Sequence, residues 1–300
     1  MGPRRNAVKS ARSAIADRGD LAASHGLQRV GARPGLFEYS RQMWRRRHFV
    51  SALSRATFSS GYSRTHLGQA WQLLTPLLDA AVYYAIFGVL LSTRRGVDNY
   101  IAFLVVGVFA FRFTQSSVLS GARAVSGNTG LIRALHFPRA VLPVSGTAVN
   151  LYGLLASMAV LLPIVVLTGE SPSLRWLQLL PALGLQTLFC LGLSCIAARV
   201  GARVPDLTQI LPFLLRIWLY VSGVFYSIDV LAGTYGYGVV RNVLTSNPGA
   251  LFVDLTRDAL ISGNRHLSSH DWLYASGWAI LVAVLGYVYF WRSEDRYGLV

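Results

Sequence analysis

Ala122-Arg123-Ala124-Val125-Ser126-Gly127-Asn128-Thr129-Gly130-Leu131-Ile132-Arg133-Ala134-Leu135-His136-Phe137-Pro138-Arg139-Ala140-Val141-Leu142-Pro143 joins two strongly apolar stretches of this chain. It is short, basic and suited to a helix. Asn128 and Thr129 stand where an N-cap belongs, and Leu131, Ile132 and Leu135 fall on one helical face. Phe137-Pro138 ends the turn, because proline restricts the backbone of the residue before it. Arg123, Arg133 and Arg139 come with no acid, so the connection is expected to face the cytoplasm under the positive-inside rule. An amphipathic helix resting on lipid headgroups would carry the same residues, and on sequence physics both readings stand.

Outward from this stretch, the composition is that of an integral membrane protein. The 300 residues are 53% hydrophobic and 14% charged, with a mean hydropathy of +0.44, too apolar for an ordinary soluble domain. The net charge of +15 would suit nucleic acid, but the arginines concentrate in the N-terminal stretch and in short connections between apolar spans. Positive-inside bias accounts for that pattern, and no nucleic-acid partner is expected. The single lysine, Lys9, excludes a phosphate loop of the G-x-x-x-x-G-K-[ST] kind, so the chain is not its own conventional P-loop ATPase. Cys190 and Cys195 share one span at an offset that turns them to different faces, so neither a disulfide nor a metal site is expected.

In chain order, residues 1–36 are rich in Arg, Ala, Gly and Ser without apolar periodicity, and are read as a disordered cytoplasmic tail. Residues 37–66 are read as an amphipathic interface helix, with Phe49, Leu53 and Ala56 on one face and Arg45, Arg46, Arg47 and Arg55 supplying charge. Residues 67–300 form the membrane domain, with six spans expected at about 71–92, 100–121, 144–168, 177–198, 207–228 and 272–291. An even number of spans puts both termini on one side. Basic residues near the span ends favour the cytoplasm by a modest margin, with Arg94, Arg95, Arg175, Arg241, Arg257 and Arg265 counted outside. Between spans five and six, Val239 to Leu244 and a helix begun by Asn247-Pro248 are too short to cross, which suggests a re-entrant hairpin in the outer leaflet.

Asp79, Arg112 and Arg216 are ionisable residues within spans, costly there unless they face protein or water. Arg112 and Arg216 are candidates for contacting the diphosphate of a lipid-linked substrate, and an intramembrane salt bridge with Asp79 or snorkelling explains them equally well. Tyr83, Phe87, Phe109, Phe113 and Tyr226 are candidates for lining a path, because sugars pack C–H faces on aromatic rings. Helix packing and interface preference use the same residues. His266 and His270 lack a third metal ligand, and Asp254 and Asp258 stand alone. Catalysis and a bound metal are therefore not expected.

The connection that opens this section, with Asn128, Leu131-Ile132-Arg133, Phe137-Pro138-Arg139 and Leu142-Pro143, resembles the coupling-helix region of permease subunits of ABC transporters that export polysaccharides. This is the O-antigen, teichoic-acid and cell-wall galactan group of type-2 ABC exporters. Tyr62, Leu67-Gly68, Trp71 and Pro76-Leu77 resemble that family's approach to its first span, although a basic residue is expected beside the tyrosine where Gly61 and Ser63 stand. Ser222-Gly223-Val224-Phe225-Tyr226 and the set Leu244, Asn247-Pro248, Arg257 and Gly263 resemble its gate helices, with Gly223 where proline is commoner and a softer bend expected.

The resemblance implies an all-α membrane protein with six transmembrane helices, an N-terminal interface helix, a cytoplasmic coupling helix and an outer re-entrant helical hairpin. It implies ATPase coupling through Asn128, Leu131, Ile132, Arg133, Leu135, His136 and Phe137, and an outer gate at Asn247, Pro248 and Arg257. It also implies a homodimer in the bacterial plasma membrane with both termini cytoplasmic, two copies of a separate ABC ATPase that binds ATP and Mg, and a lipid-linked polysaccharide as substrate. This chain would bind no cofactor itself. The Arg- and Ala-rich composition suggests a GC-rich genome and, among family substrates, cell-wall galactan. Two other functions stay open on the residues: a membrane glycosyl- or phosphotransferase of lipid-linked sugar metabolism, and an ABC permease for a drug or small lipid.

Overall fold

The computed structural model describes residues 35–61, 68, 70–90, 97–135, 137–228, 230, 238–262 and 266–294, and among these every regular element is helical. The expected 1–36 tail falls almost wholly outside the described residues. So do 62–67 of the first-span motif, His136, and Gly263 of the gate motif.

The expected 37–66 interface helix is two helices, α1 (Leu36–Arg45) and α2 (Arg47–Ser60). Glu38 in the first turn of α1 and Arg45 in the last suit the helix dipole. The break falls at Arg46, at φ −89° and ψ 11°, whose N–H is shared between the Gln42 and Met43 carbonyls at 3.1 Å each. Tyr39 turns inward from α1 while Phe37 and Trp44 stay exposed, and α2 lies along α6 (Val141–Leu167). There the buried Ser54 hydroxyl donates to Val50 O at 2.7 Å and to Ser145 O at 3.3 Å.

Among the described residues, five helical stretches are long and apolar enough to cross a membrane. The first runs through α3 (Ala70–Tyr83) into π-helical turns over Tyr84–Leu90. The others are α4 (Tyr100–Arg123), α6, the 3₁₀ turn Leu174–Gln178 continuing into α7 (Leu179–Arg203), and α11 (Ser269–Trp291). The short connection carries α5 (Thr129–Ala134). The expected span at 207–228 is shorter: α8 (Leu207–Val221) has 15 residues, about 22 Å at 1.5 Å per residue. It stops because Gly223 turns the chain with φ +63°, a conformation that needs glycine. The bend therefore rests on the backbone freedom of Gly223. Two further helices follow, α9 (Gly238–Thr245) and α10 (Pro248–Leu260).

α4 is the axis of the bundle: 78% of its most apolar window is buried, against 17% for Leu73–Leu90. Apolar burial gives helices little drive to associate in lipid, so close backbone approach and polar contacts hold them. α7 and α11 meet at Gly192 and Gly286, where a Cβ on Gly286 would lie 2.2 Å from Gly192 O. Gln186 of α7 donates to Ala110 O at 2.8 Å and Thr114 Oγ1 at 3.1 Å on α4. Cys190 and Cys195 are both free and buried, in different packing clusters.

At the end of the bundle where α4 begins, Glu170 closes the α6–α7 connection. It accepts Asn99 Nδ2 at 3.1 Å and the Ser262 amide at 2.8 Å. Burial alone would raise its pKa, but the Ser262 and Asn99 hydrogen bonds outweigh that and hold the carboxyl below its ordinary value. A depressed carboxyl pKa stabilises the fold fully above the unfolded value, about 4.3, and that contribution is lost as pH falls below it. The melting difference between wild type and Glu170→Gln is therefore expected to be largest near neutral pH and to shrink from about pH 4.3 downward. A difference that stays constant between pH 7 and pH 3 would dissociate Glu170 from this connection.

Candidate functional site

A cavity of about 170 Å³ opens between α3, α4 and α6, walled by Trp71, Pro76, Phe109, Phe113, Arg112, Ser116, Asn150 and Ser157 among others. Phe109 and Phe113 are on one face of α4 because they are four residues apart, and both are nearly fully buried. They therefore act as core as well as wall. The Arg112 guanidinium, between them in sequence, donates to Asp79 Oδ2 of α3, both side chains being partly exposed. The site thus combines flat apolar rings, a cation with its counter-ion, and amide and hydroxyl groups. Such a lining can hold a molecule with an anionic group and a hydroxyl-rich body. Asp79 pairs with Arg112, whereas Arg216 is exposed on α8 within electrostatic reach of Tyr83. Arg112 is within electrostatic reach of the same tyrosine.

The other three candidate path aromatics lie elsewhere. Tyr83 and Phe87 pack on Phe225, with ring centroids at 4.7 and 4.5 Å, and Tyr220 joins the group at 5.3 Å from Phe225. Tyr226 donates its hydroxyl to Tyr220 O at 3.1 Å. These rings gather where α8 turns back, and they wall that turn rather than the cavity.

Behind that turn sits Arg257 of α10, 1% exposed. Its Nε donates to Phe103 O at 3.1 Å, Nη1 to Gly223 O at 3.0 Å and Nη2 to Val224 O at 2.8 Å, with Asp254 Oδ1 3.2 Å from Nη1. Gly107 leaves room for the guanidinium, since a Cβ there would lie 2.5 Å from Nη2. Tyr100 completes the arrangement by donating to Phe225 O at 2.9 Å. Arg257 is therefore a buried tie between α4, α10 and the α8 turn, not one of the loop charges among which the sequence counts it. Asp254 is its partner, and Asp258 accepts the Leu267 amide at 3.3 Å and faces His266. Asn247 starts α10: its Oδ1 accepts Gly249 N at 3.0 Å and Trp218 Nε1 at 2.8 Å, with Pro248 in the first turn.

At the opposite end, the 122–143 connection is more irregular than expected. Asn128 occupies the N-cap position of α5, but its Nδ2 reaches back to Ala124 O at 2.8 Å and its side chain does not cap. Leu131 and Ile132 pack inward against the cluster of Tyr39, Ala140, Cys195 and Phe290. α5 stops at Ala134, and Leu135 is extended at φ −130° and ψ 139°, so it leaves the shared face and is exposed. Arg133 is exposed, and Phe137 packs on Phe49 of α2 at 5.5 Å.

The residue that sequence reading passed over here is Glu294. Its carboxylate accepts the Tyr39 hydroxyl at 2.7 Å and the Arg139 amide at 2.9 Å, and Tyr39 Oη in turn accepts the Ala140 amide at 2.9 Å. The Arg139 guanidinium also donates to Glu294 O. Burial, and after it the Glu294 charge, push the Tyr39 phenol well above its usual pKa, so it stays a donor. An acidic pair, Glu294-Asp295, set between Arg292 and Arg296 just past the last span, is the one sequence signal that marks it.

A family model described as ABC-2 type transporter matches residues 48–254, from α2 into α10. This chain belongs to the ABC-2 type transporter family. The match takes in the cavity and the whole 122–143 connection. This ABC-2 transporter chain is 26% identical over 238 residues to an O-antigen export system permease protein, RfbA, of Klebsiella pneumoniae, covering 79% of this chain and 88% of that one. It is 27% identical over 191 residues to the RfbA of Myxococcus xanthus, covering 64% and 73%. It is 25% identical over 215 residues to the polysialic acid transport protein KpsM of Escherichia coli, covering 71% and 81%.

Proposed function

We propose that this chain is the permease subunit of an ATP-driven exporter that moves a lipid-linked polysaccharide from the cytoplasmic to the outer leaflet of the bacterial plasma membrane. The observation that carries the reading is the similarity to O-antigen export permeases over 79% of the chain. The ring-lined, arginine-bearing cavity supports it, because an anionic lipid headgroup followed by a sugar chain needs a cation and flat apolar walls in turn. Arg112 is the contact for the anionic group, with Phe109 and Phe113 beside it, and Arg216 is the candidate for a second contact. In this reading α8 is the fifth of six spans, α9 and α10 form an outer re-entrant hairpin, and both termini are cytoplasmic. The gate comprises Asn247, Pro248 and Arg257, with Tyr83, Phe87 and Tyr226 lining its approach.

Two copies of the chain associate with two copies of an ABC ATPase, which binds ATP and Mg and hydrolyses ATP. Residues 127–138, with Asn128, Leu131, Ile132, Arg133, Leu135, His136 and Phe137, receive the ATPase movement. Cell-wall galactan is the proposed glycan. A pull-down of the tagged chain from its native membranes in mild detergent tests the reading: a stoichiometric ATPase subunit is the expected companion. Arg133→Glu, which reverses charge on an exposed side chain of α5, should cut recovery of that ATPase about tenfold while membrane insertion is unchanged. A dimer isolated intact without any ATPase would sink the proposal.

A further inference from the structure

The helix that follows the coupling segment, α6, has no side-chain cap of its own at Ala140. The first N–H groups of a helix need acceptors, and a carboxylate there gains from the helix dipole. Around this start the acceptors come from far along the chain: Glu294 Oε1 takes the Arg139 amide, and the Tyr39 hydroxyl takes the Ala140 amide. Tyr39 gives its own proton to Glu294 Oε2. One carboxylate, 8% exposed, therefore closes a loop of hydrogen bonds between α1, the exit of the coupling segment and the end of α11. The same three parts share one buried apolar cluster, with Leu131, Ile132 and Phe137 packed on Tyr39 and Phe290.

We propose that Glu294 and Tyr39 are positioning residues for energy coupling: they clamp the exit of the coupling segment to α1 and α11, so that a push on residues 127–138 moves three helices together. This rests on the reading of residues 127–138 as the ATPase-coupling segment. Without the clamp, the segment can yield at Arg139–Ala140 and absorb the movement. ATP hydrolysis would then continue with less export.

The test has two arms, run on the full chain. In nanodiscs without the ATPase, amide exchange over residues 137–145 is expected to quicken roughly fivefold to tenfold in Glu294→Ala, as loss of a charged cap predicts. Glu294→Gln, whose amide oxygen still accepts and whose NH₂ can face the Tyr39 hydroxyl, is expected to stay near wild type. Unchanged exchange in Glu294→Ala overturns the clamp whatever the ATPase does. In cells, surface polysaccharide is measured against the amount and hydrolysis rate of the co-purified ATPase. Glu294→Ala and Tyr39→Phe should each lower export per ATP several-fold at normal ATPase recovery. Their double variant should be no worse than the more severe single one, because both act on one contact.

Glu294→Gln should restore most of the export. Export that falls only in step with protein level or ATPase recovery, in the mild Tyr39→Phe as well as in Glu294→Ala, assigns these residues to folding alone and overturns the proposal. If wild type itself recovers no ATPase, the exporter reading fails, and coupling by the clamp fails with it. The exchange arm shows separately whether the clamp exists.

Discussion

Replacing Arg257 with methionine is expected to cost about 3–5 kcal/mol of stability, the usual penalty for removing one partner from a buried charged network. For a chain of this size that lowers the melting temperature by about 6–20 °C, at roughly 2–4 °C per kcal/mol. The loss has three sources. The carbonyls of Phe103, Gly223 and Val224 lose their donors, in a region where water is scarce and an unpaired carbonyl costs about 1–3 kcal/mol. The guanidinium also lies 3.4 Å from the Phe103 ring centroid, a contact favourable for a desolvated cation. Finally, its place beside Gly107 would be filled by a thioether with no hydrogen to give.

Lysine should recover little, because an ammonium on a flexible stem does not reproduce a planar fork aimed at three carbonyls. Asp254→Asn is the control. Asp254 is partly exposed and the three carbonyls stay in place, so breaking that pair should cost less than losing the guanidinium. Melting curves of the three variants in one detergent decide the matter, and an Arg257→Met protein that melts with wild type would remove the tie between α4, α10 and the α8 turn.

Arg257 also marks the limit of what the sequence discloses. Hydropathy finds apolar length, so it found the five long spans to within a few residues. The run from Leu207 to Tyr226 is predominantly apolar, and it is the positive φ at Gly223 that accompanies the end of α8 at Val221. A window average does not register one dihedral angle. Charge counting, in turn, assigns each arginine to the loop its position suggests. It has no means of seeing that Arg257 is enclosed by carbonyls from two other segments, 154 and 34 residues away.

Asp79 and Arg112 were both legible as costly intramembrane charges, and their pairing was one of the alternatives the residues allowed. Phe109 and Phe113 were legible as a pair because helical spacing is local. That they face the cavity while Tyr83 and Phe87 turn to Phe225 depends on how α3 lies against α4, which spacing does not encode. Glu294 bonds to Tyr39 across 255 positions, and the need for it is visible only once α6 is known to begin without a cap.

The crossing of α7 and α11 yields the other large effect. Gly286→Ala is expected to cost about 3 kcal/mol or more, the upper end of the range for overpacking, because the new methyl group meets backbone rather than side chain. Its Cβ would lie 2.2 Å from Gly192 O, 2.7 Å from Gly192 C and 2.9 Å from Gly192 Cα, and on the other side a Cβ on Gly192 would lie 2.3 Å from Val282 O. No rotamer change relieves such a contact, so the helices must separate, and with them go the close-approach contacts that hold helices together in lipid.

α11 also carries Phe290 into the cluster around Tyr39 and leads into Glu294. Separation should therefore loosen the 122–143 end as well, where faster amide exchange over residues 137–145 would report it. Gly192→Ala should behave alike, and the double variant should cost less than the two singles added, since one displacement relieves both clashes. Folded yield after detergent extraction, with the melting temperature of what survives, measures all three. Wild-type yield and melting in Gly286→Ala would mean that α7 and α11 do not cross at these glycines.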